Sequence, residues 1–151
     1  MKTPTKEKIQ RYCAYQERSH QEVRTKLYEY GLYRNDVDEI ISDLITNGFL
    51  NEERFAKAFA GGKFRVKKWG RIKITHALEG KGVSKNCILI GLKEIEENSY
   101  VDTLRQLLAE KSRSVEEDNI YALRERLSKY AILKGYEPEL VWREIHALMP
   151  K

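Results

Sequence analysis

The densest group of chemically active side chains in this sequence is cationic. Ten basic residues and one acidic residue lie between Arg54 and Lys85, so this basic window has a net charge of 10 − 1 = +9. The rest of the chain has 18 basic and 22 acidic residues, a net charge of −4. Ammonium and guanidinium groups bind phosphates and carboxylates. The basic window therefore predicts a surface for phosphates or for an acidic protein partner, and a solvated lysine-rich face is the alternative.

A tryptophan lies among these cations, in the segment 67–71 (Lys-Lys-Trp-Gly-Arg). Its indole could stack on a nucleic-acid base or form the centre of a protein interface. Alternatively, it fills the junction between two helices, with the apolar stems of the cations packed around it. The sequence leaves both interpretations open.

The spacing of the cations predicts that they share one face of a helix. A helix that starts near Glu52 would bring Lys57, Gly61, Arg65 and Lys68 into a basic stripe, opposite Phe55, Phe59 and Val66. The candidate residues for binding a partner or a nucleic acid are Lys57, Arg65, Lys67, Lys68, Trp69, Arg71 and Lys73.

Catalytic chemistry is not indicated by any motif. His20, His76 and His146 lack the paired spacing of metal ligands, and Cys13 and Cys87 form neither a C-x-x-C motif nor a disulfide framework. The segment 61–63 (Gly-Gly-Lys) lacks the first glycine of a P-loop. We therefore predict no catalytic residue, no metal site and no cofactor, and a protein that is not an enzyme.

Length and composition limit the class of protein and the cellular compartment to be expected. With 151 residues, 41% of them apolar, the sequence is long enough for one domain or a short array of repeats. The longest apolar run, 87–92, is far shorter than the roughly 18 residues that cross a bilayer. We expect a monomeric cytoplasmic protein with reduced thiols and no membrane contact.

Three internal repeats define the predicted architecture. Gly31, Gly82 and Gly135 stand 51 and 53 residues apart, and apolar residues occupy the positions 8 and 4 before each glycine and 1, 6, 10 and 13 after it. This spacing predicts a helix, a glycine that ends it in the left-handed conformation, and a second helix. Ser84 and Pro138 suit the start of that second helix.

A further helix precedes each pair. One covers 6–16 and is followed by a capping box at Ser19-x-x-Glu22; the next has Asn51 as its N-cap after a stop at Gly48; the third starts at Ser99-x-x-Asp102. The prediction is an all-α protein without strands, an elongated and curved array of three tandem three-helix repeats. Their predicted bounds are 1–50, 51–98 (the basic repeat) and 99–151.

Several of these segments resemble the RecX family of bacterial regulatory proteins. The similar blocks are 18–27 (Arg-Ser-x-x-Glu-Val-x-x-Lys-Leu), 48–56 (Gly-Phe-Leu-Asn-Glu-Glu-Arg-Phe-Ala), 70–83 around Gly-Arg and Gly-Val, and 127–136. The resemblance implies tandem three-helix repeats that lie in the groove of the RecA filament on single-stranded DNA. It implies inhibition of recombinase, ATPase and coprotease activity, direct DNA contact in some members, and no catalytic residues.

Two functions therefore follow as hypotheses. The first is a regulator that binds the RecA nucleoprotein filament and so modulates DNA repair and recombination. The second is a helical DNA-binding module that acts through phosphate contacts of its basic centre. The two differ in what the basic window contacts, and phosphate contacts would make affinity fall steeply with salt.

Overall fold

The computed structural model describes residues 3–150, and this part of the chain is all-α, as predicted. The described residues form nine α-helices and one five-residue π-helical turn, Lys63–Lys67, that directly follows the fourth helix. The helices are α1 (Thr3–Tyr15), α2 (His20–Glu29), α3 (Arg34–Thr46), α4 (Glu52–Gly62), α5 (Arg71–Gly80), α6 (Lys85–Leu92), α7 (Glu97–Ser114), α8 (Ile120–Leu133) and α9 (Pro138–Leu148).

Most of the predicted helix starts are confirmed. Ser19 and Glu22 form the reciprocal capping box of α2, with hydrogen bonds of 2.9 and 3.0 Å. The Asn51 side chain accepts a hydrogen bond from the Arg54 N–H at 2.9 Å, and Ser84 accepts one from the Cys87 N–H at 3.2 Å. Each cap satisfies a backbone donor that the first helical turn cannot pair internally.

The predicted start of α7 at Ser99 is wrong. The N-cap is Glu96, whose carboxylate accepts hydrogen bonds from the Ser99 N–H at 3.0 Å and the Ser99 hydroxyl at 2.9 Å. Ser99 is therefore already the third helical residue. The Ser99 bonds lower the pKa of Glu96, because they favour its charged form.

All three repeat glycines end a helix in the predicted conformation. The φ angles of Gly31, Gly82 and Gly135 are 90°, 77° and 103°, and Gly48 also has a positive φ, of 81°. Of the eighteen apolar repeat positions, only Leu32, Leu92 and Leu148 are not buried. The repeat pattern therefore marks core positions that three different helix pairs share.

The chain forms two compact units, and α4 and α5 each contribute residues to both. Unit 1 contains the described residues up to Phe59 together with Ala77–Lys93; in it, α2 packs on α1 and α3 around a core that includes Ile9, Leu27 and Leu44. Unit 2 contains Ala60–His76 and the residues from Glu94 onward. In unit 2, α7, α8 and α9 pack pairwise, with Tyr100 and Tyr136 as its largest fully buried side chains. The repeat bounds 1–50, 51–98 and 99–151 stay a prediction.

Candidate partner and nucleic-acid interface

The candidate binding residues do not all lie in one unit. Lys57 is exposed on α4 in unit 1, whereas the other six lie in unit 2. These six candidates lie in Ala60–His76, which we call the cationic segment. The segment contains six basic residues, which are Lys63 and every one of these candidates except Trp69, and it contains no acidic residue. The segment comprises the end of α4, the π-helical turn, a short loop and the start of α5.

The π-helical turn changes the helix face that the sequence predicted. Phe55 is buried and Phe59 is half-buried, in agreement with the prediction, and their ring centroids lie 5.7 Å apart. Val66, however, is 77% exposed, so its predicted inward position is wrong. A π-turn has a longer period than the α-helix, so side chains beyond Gly62 no longer continue the 3.6-residue spacing.

Gly61 was predicted in the exposed basic stripe, but it is buried. The guanidinium group of Arg65 lies over it, since a Cβ built on Gly61 would be only 2.8 Å from Arg65 Nη1. Gly61 therefore leaves space for the Arg65 side chain to fold back along the helix, and Arg65 itself remains exposed. The glycine acts here through its missing side chain.

Trp69 lies among lysine side chains in the loop between the π-helical turn and α5. It is half-buried, and the ammonium groups of Lys63 and Lys73 lie 5.1 and 4.7 Å from the indole centroid. Such distances are typical of cation–π contacts. The choice between a stacking or interface role and a junction-filling role for Trp69 stays open.

The loop that holds Trp69 is hydrogen-bonded to residues 134–137, which we call the α8–α9 junction. The Gly70 N–H donates to the Lys134 carbonyl at 2.7 Å, and the Ile72 N–H donates to the Gly135 carbonyl at 2.9 Å. The Tyr136 hydroxyl donates to the Lys68 carbonyl at 2.9 Å. These residues were missed as part of the candidate site. The one feature of the sequence that draws attention to residues 134–137 is Gly135, which is a repeat glycine.

Gly70 and Gly135 make this junction possible. A Cβ on Gly70 would collide with the backbone of Gly135, and a Cβ on Gly135 would collide with the Cβ and backbone nitrogen of Lys73. Two chain segments can approach this closely only where neither has a side chain. Gly70 contributes through this close approach, since its φ is not positive.

Arg71 is placed differently from the other candidates, because carboxylates already neutralise it within unit 2. Its guanidinium group pairs with Glu97 and, at 2.9 Å, with Glu137, and it lies 3.9 Å from the ring centroid of Tyr100. Burial lowers the pKa of Arg71, but the hydrogen bonds that its guanidinium group donates to Glu137 and Glu97 outweigh this effect, so the pKa is raised overall. The charge of Arg71 is therefore engaged by contacts within unit 2.

Tyr100 completes this network at the centre of unit 2. Its hydroxyl accepts a hydrogen bond from the Arg71 N–H at 2.9 Å and donates one to Glu137 at 2.5 Å. Burial raises the pKa of Tyr100, and the hydrogen bond to Glu137 raises it further. The hydroxyl consequently stays protonated and remains a donor throughout the physiological pH range.

Four cations of the cationic segment remain available to a partner. Arg65, Lys67, Lys68 and Lys73 are exposed, and within residues 3–150 none of them forms an ion pair. Because the segment contains no acidic residue, its positive potential is not compensated locally. The arrangement can bind phosphate or carboxylate groups by charge.

Other kinds of site are absent from the part of the chain that the structure describes. Among residues 3–150, no three His, Cys, Asp or Glu side chains are grouped so that they could hold a metal ion. The described helices include none that is both long and apolar enough to cross a membrane.

A family model and two relatives of known sequence share the name RecX. The family model described as "RecX, second three-helix domain" matches residues 51–90, within the predicted middle repeat. The regulatory protein RecX of Clostridium perfringens strain 13 is 32% identical over 123 residues, which is 80% of this chain and 57% of that protein. The regulatory protein RecX of Bacillus cytotoxicus is 26% identical over 130 residues, 86% of this chain and 48% of that protein. The chain thus spans about half the length of these curated relatives.

A solved structure shows the same fold. The crystal structure of RecX from Lactobacillus salivarius superposes with a TM-score of 0.88 at 19% sequence identity and covers 99% of this chain and 97% of that one. The matched three-helix domain lies in the basic centre, and the match to the clostridial relative extends well beyond it. Sequence and fold therefore agree, and the chain belongs to the RecX family of regulatory proteins.

Proposed function

We propose that this chain binds the RecA filament on single-stranded DNA and inhibits its recombinase, ATPase and coprotease activities, thereby modulating DNA repair and recombination. The observation that supports the proposal is the cationic segment, where Arg65, Lys67, Lys68 and Lys73 are exposed and have no acidic residue between them. The relatives at 32% and 26% identity are named regulatory proteins, and the proposal carries that role to this chain. It also assumes a monomer that acts in the cytoplasm.

The physical basis of the proposal is charge complementarity. A filament on single-stranded DNA is anionic, and uncompensated cations accelerate encounter with an anionic partner and fix its orientation. Such cations need not contribute to the core, because Ile74 and Leu78 supply the buried face of α5. Lys67 and Lys68 are exposed, and an exposed substitution usually alters stability by less than about 0.5 kcal/mol. Lys68 has a positive φ of 58°, but Lys68→Glu replaces one unbranched side chain by another, so the backbone strain there should change little.

The test is the ATPase activity of RecA on single-stranded DNA, titrated with this protein. We expect the wild-type chain to inhibit, and a Lys67→Glu/Lys68→Glu variant to require about tenfold more protein or greater for the same inhibition. Arg71 is left unchanged because it pairs with Glu97 and Glu137 inside unit 2. Full inhibition by the folded double variant would contradict a role for the cationic segment.

A matched control variant shows whether inhibition depends on the position of the exposed lysines or only on the net charge of the chain. Lys85 and Lys129 are exposed and lie outside the cationic segment. A Lys85→Glu/Lys129→Glu variant changes the net charge of the chain by the same amount, and we expect it to inhibit as the wild type does. If both double variants lose inhibition equally, net charge governs binding and the cationic segment has no special part.

Direct DNA binding is the second candidate function, because the same exposed cations fit phosphate groups. We expect affinity for a single-stranded oligonucleotide to fall with salt, with a logarithmic slope of about −0.7 per phosphate contacted. Binding of the oligonucleotide without any inhibition of RecA would favour this function over filament regulation. Inhibition of RecA without measurable oligonucleotide binding would exclude direct DNA contact as its cause.

A further inference from the structure

Lys68 has a backbone conformation that its surroundings must hold. Its φ and ψ are 58° and 37°, and among residues 3–150 it is the only residue other than glycine with a positive φ. An L-amino acid in this left-handed region pays a steric penalty, so the conformation persists where neighbouring groups fix it. At this position the chain turns from the π-helical turn into the loop with Trp69.

The Tyr136 hydroxyl is the side-chain group of the α8–α9 junction that bonds to Lys68 itself, beside the backbone bonds of Gly70 and Ile72. It donates a hydrogen bond to the Lys68 carbonyl at 2.9 Å. The Tyr136 ring is fully buried, and its centroid lies 5.0 Å from that of Tyr100. A ring confined in this way keeps its hydroxyl at a fixed point. The Lys68 carbonyl is thus tied to the core of unit 2.

Comparison of the three repeats shows that packing alone does not require this hydroxyl. The residue directly after the repeat glycine is Leu32 in the first copy, Val83 in the second and Tyr136 in the third. Leu32 is half-buried and Val83 is buried, so an aliphatic side chain suffices in those copies. Only the third copy has a polar group at this position, and that group bonds to the cationic segment.

We propose that Tyr136 is a positioning residue for the cationic segment. By holding the Lys68 carbonyl, it stabilises the left-handed turn that places Trp69 beside Lys63 and Lys73 and fixes the direction of the exposed cations. The consequence for RecA rests on the proposed function; the effect on the Trp69 loop does not. The test therefore measures the accessibility of Trp69 and the inhibition of RecA separately.

The first variant removes only the hydroxyl. The chain has two tryptophans, so Trp142→Phe provides a background in which fluorescence reports on Trp69 alone. In this background we expect Tyr136→Phe to leave the far-ultraviolet circular dichroism unchanged and to make Trp69 more accessible to acrylamide. Inhibition of RecA should weaken by about threefold to tenfold, as for the loss of one hydrogen bond.

A matched pair of variants at Lys68 tests the left-handed turn itself. Lys68→Gly and Lys68→Ala remove the same charge, but only glycine adopts the left-handed conformation without strain. In the Trp142→Phe/Tyr136→Phe background, we expect Lys68→Gly to restore the acrylamide quenching of Trp69 seen in the Trp142→Phe parent, while Lys68→Ala does not. The glycine variant should also inhibit RecA about threefold better than the alanine variant.

The outcomes separate the two proposals. If Tyr136→Phe leaves Trp69 quenching unchanged, or if the glycine and alanine variants behave alike, the positioning role of Tyr136 is wrong whether or not the chain inhibits RecA. If quenching changes as expected but inhibition of RecA by Tyr136→Phe equals that of the Trp142→Phe parent, the turn does not serve binding and the functional part of the inference is wrong. A wild-type chain that never inhibits RecA contradicts the proposed function alone.

Discussion

Gly31 and Gly135 perform the same local task in very different surroundings. Both end a helix with a positive φ, of 90° and 103°, and both precede a residue that packs inward. A Cβ on Gly31 would meet nothing within 4 Å, whereas a Cβ on Gly135 would collide with Lys73 in the opposite chain segment. The repeated sequence pattern therefore encodes a turn, and in the third copy this turn has gained a second role as a contact surface for α5.

Adding a methyl group to each glycine should have the largest effect on stability, and the effect should differ between the two sites. Gly31→Ala introduces only backbone strain and should cost about 1–2 kcal/mol in the free energy of unfolding. Gly135→Ala adds overpacking against Lys73 and should cost about 3–5 kcal/mol in total. Thermal unfolding followed by circular dichroism measures both losses. Equal losses would mean that the chain segments around Gly135 and Lys73 can move apart at little cost. Their close approach would then contribute no stability.

The ion pairs beside the two turns also differ in how far they are exposed to solvent. Arg24 and Asp38 flank the first turn at 2.6 Å, but their side chains are 41% and 52% exposed. The Arg71 side chain, by contrast, is 26% exposed and bonds to Glu97 and to Glu137 of the α8–α9 junction. We expect Arg71→Met to cost about 1–3 kcal/mol because two carboxylates lose a charged partner. Arg24→Met should cost less than about 0.5 kcal/mol.

Chemical denaturation of both methionine variants provides the measurement. Far-ultraviolet circular dichroism follows the whole chain, and fluorescence follows unit 2, in which Trp69 and Trp142 both lie. An Arg71→Met protein as stable as Arg24→Met would show that the network around Tyr100 is energetically neutral. In that case Arg71 would rejoin the exposed cations as a binding candidate.

The smallest expected difference concerns pH. Nine positions after the repeat glycine, the first copy has buried Ile40 and the third has Glu144, which is only 4% exposed. Hydrogen bonds from Arg105, and secondarily from Arg143, lower the pKa of Glu144 against the opposing effect of burial. A carboxyl whose pKa is lower in the folded state stabilises the fold above its unfolded pKa, and this contribution is lost as pH falls through the folded value.

The free energy of unfolding should therefore drop more on acidification from pH 7 in the wild type than in Glu144→Gln. The difference should be about 1 kcal/mol or less, because Arg105 and Arg143 are largely exposed and the pairs are screened by solvent. Fluorescence-monitored denaturation at a series of pH values measures it. Parallel pH profiles for the two proteins would contradict a net contribution from this carboxylate.

The sequence predicted features that depend on neighbours within a few residues. The capping box at Ser19, the cap at Ser84 and the positive φ of Gly135 follow from local backbone requirements, which residue type and spacing express directly. The start of α7 was missed by three residues because both Glu96 and Ser99 are polar, and only the geometry shows which of them accepts.

The candidate site was predictable in its charge but not in its contacts. Composition identified the exposed Lys67 and Lys68, whereas Arg71 is equally cationic but pairs with carboxylates inside unit 2. Its partner Glu137 is 66 positions away, so no local pattern could identify the pair. The outward turn of Val66 depends on the π-helical turn, which the apolar spacing before it does not foreshadow.

The bonds between the Trp69 loop and the α8–α9 junction also have a consequence for the order in which the chain matures during synthesis. Arg71 and Glu137 are 66 residues apart. At about 5–20 residues per second, a ribosome needs roughly 3–13 s to add the missing partner after Arg71 has been made. Until then the Lys68 carbonyl has no Tyr136 hydroxyl to hold it. The cationic segment is consequently made early and gains this contact late, so we expect a truncated product that ends before Gly135 to display the cations without it.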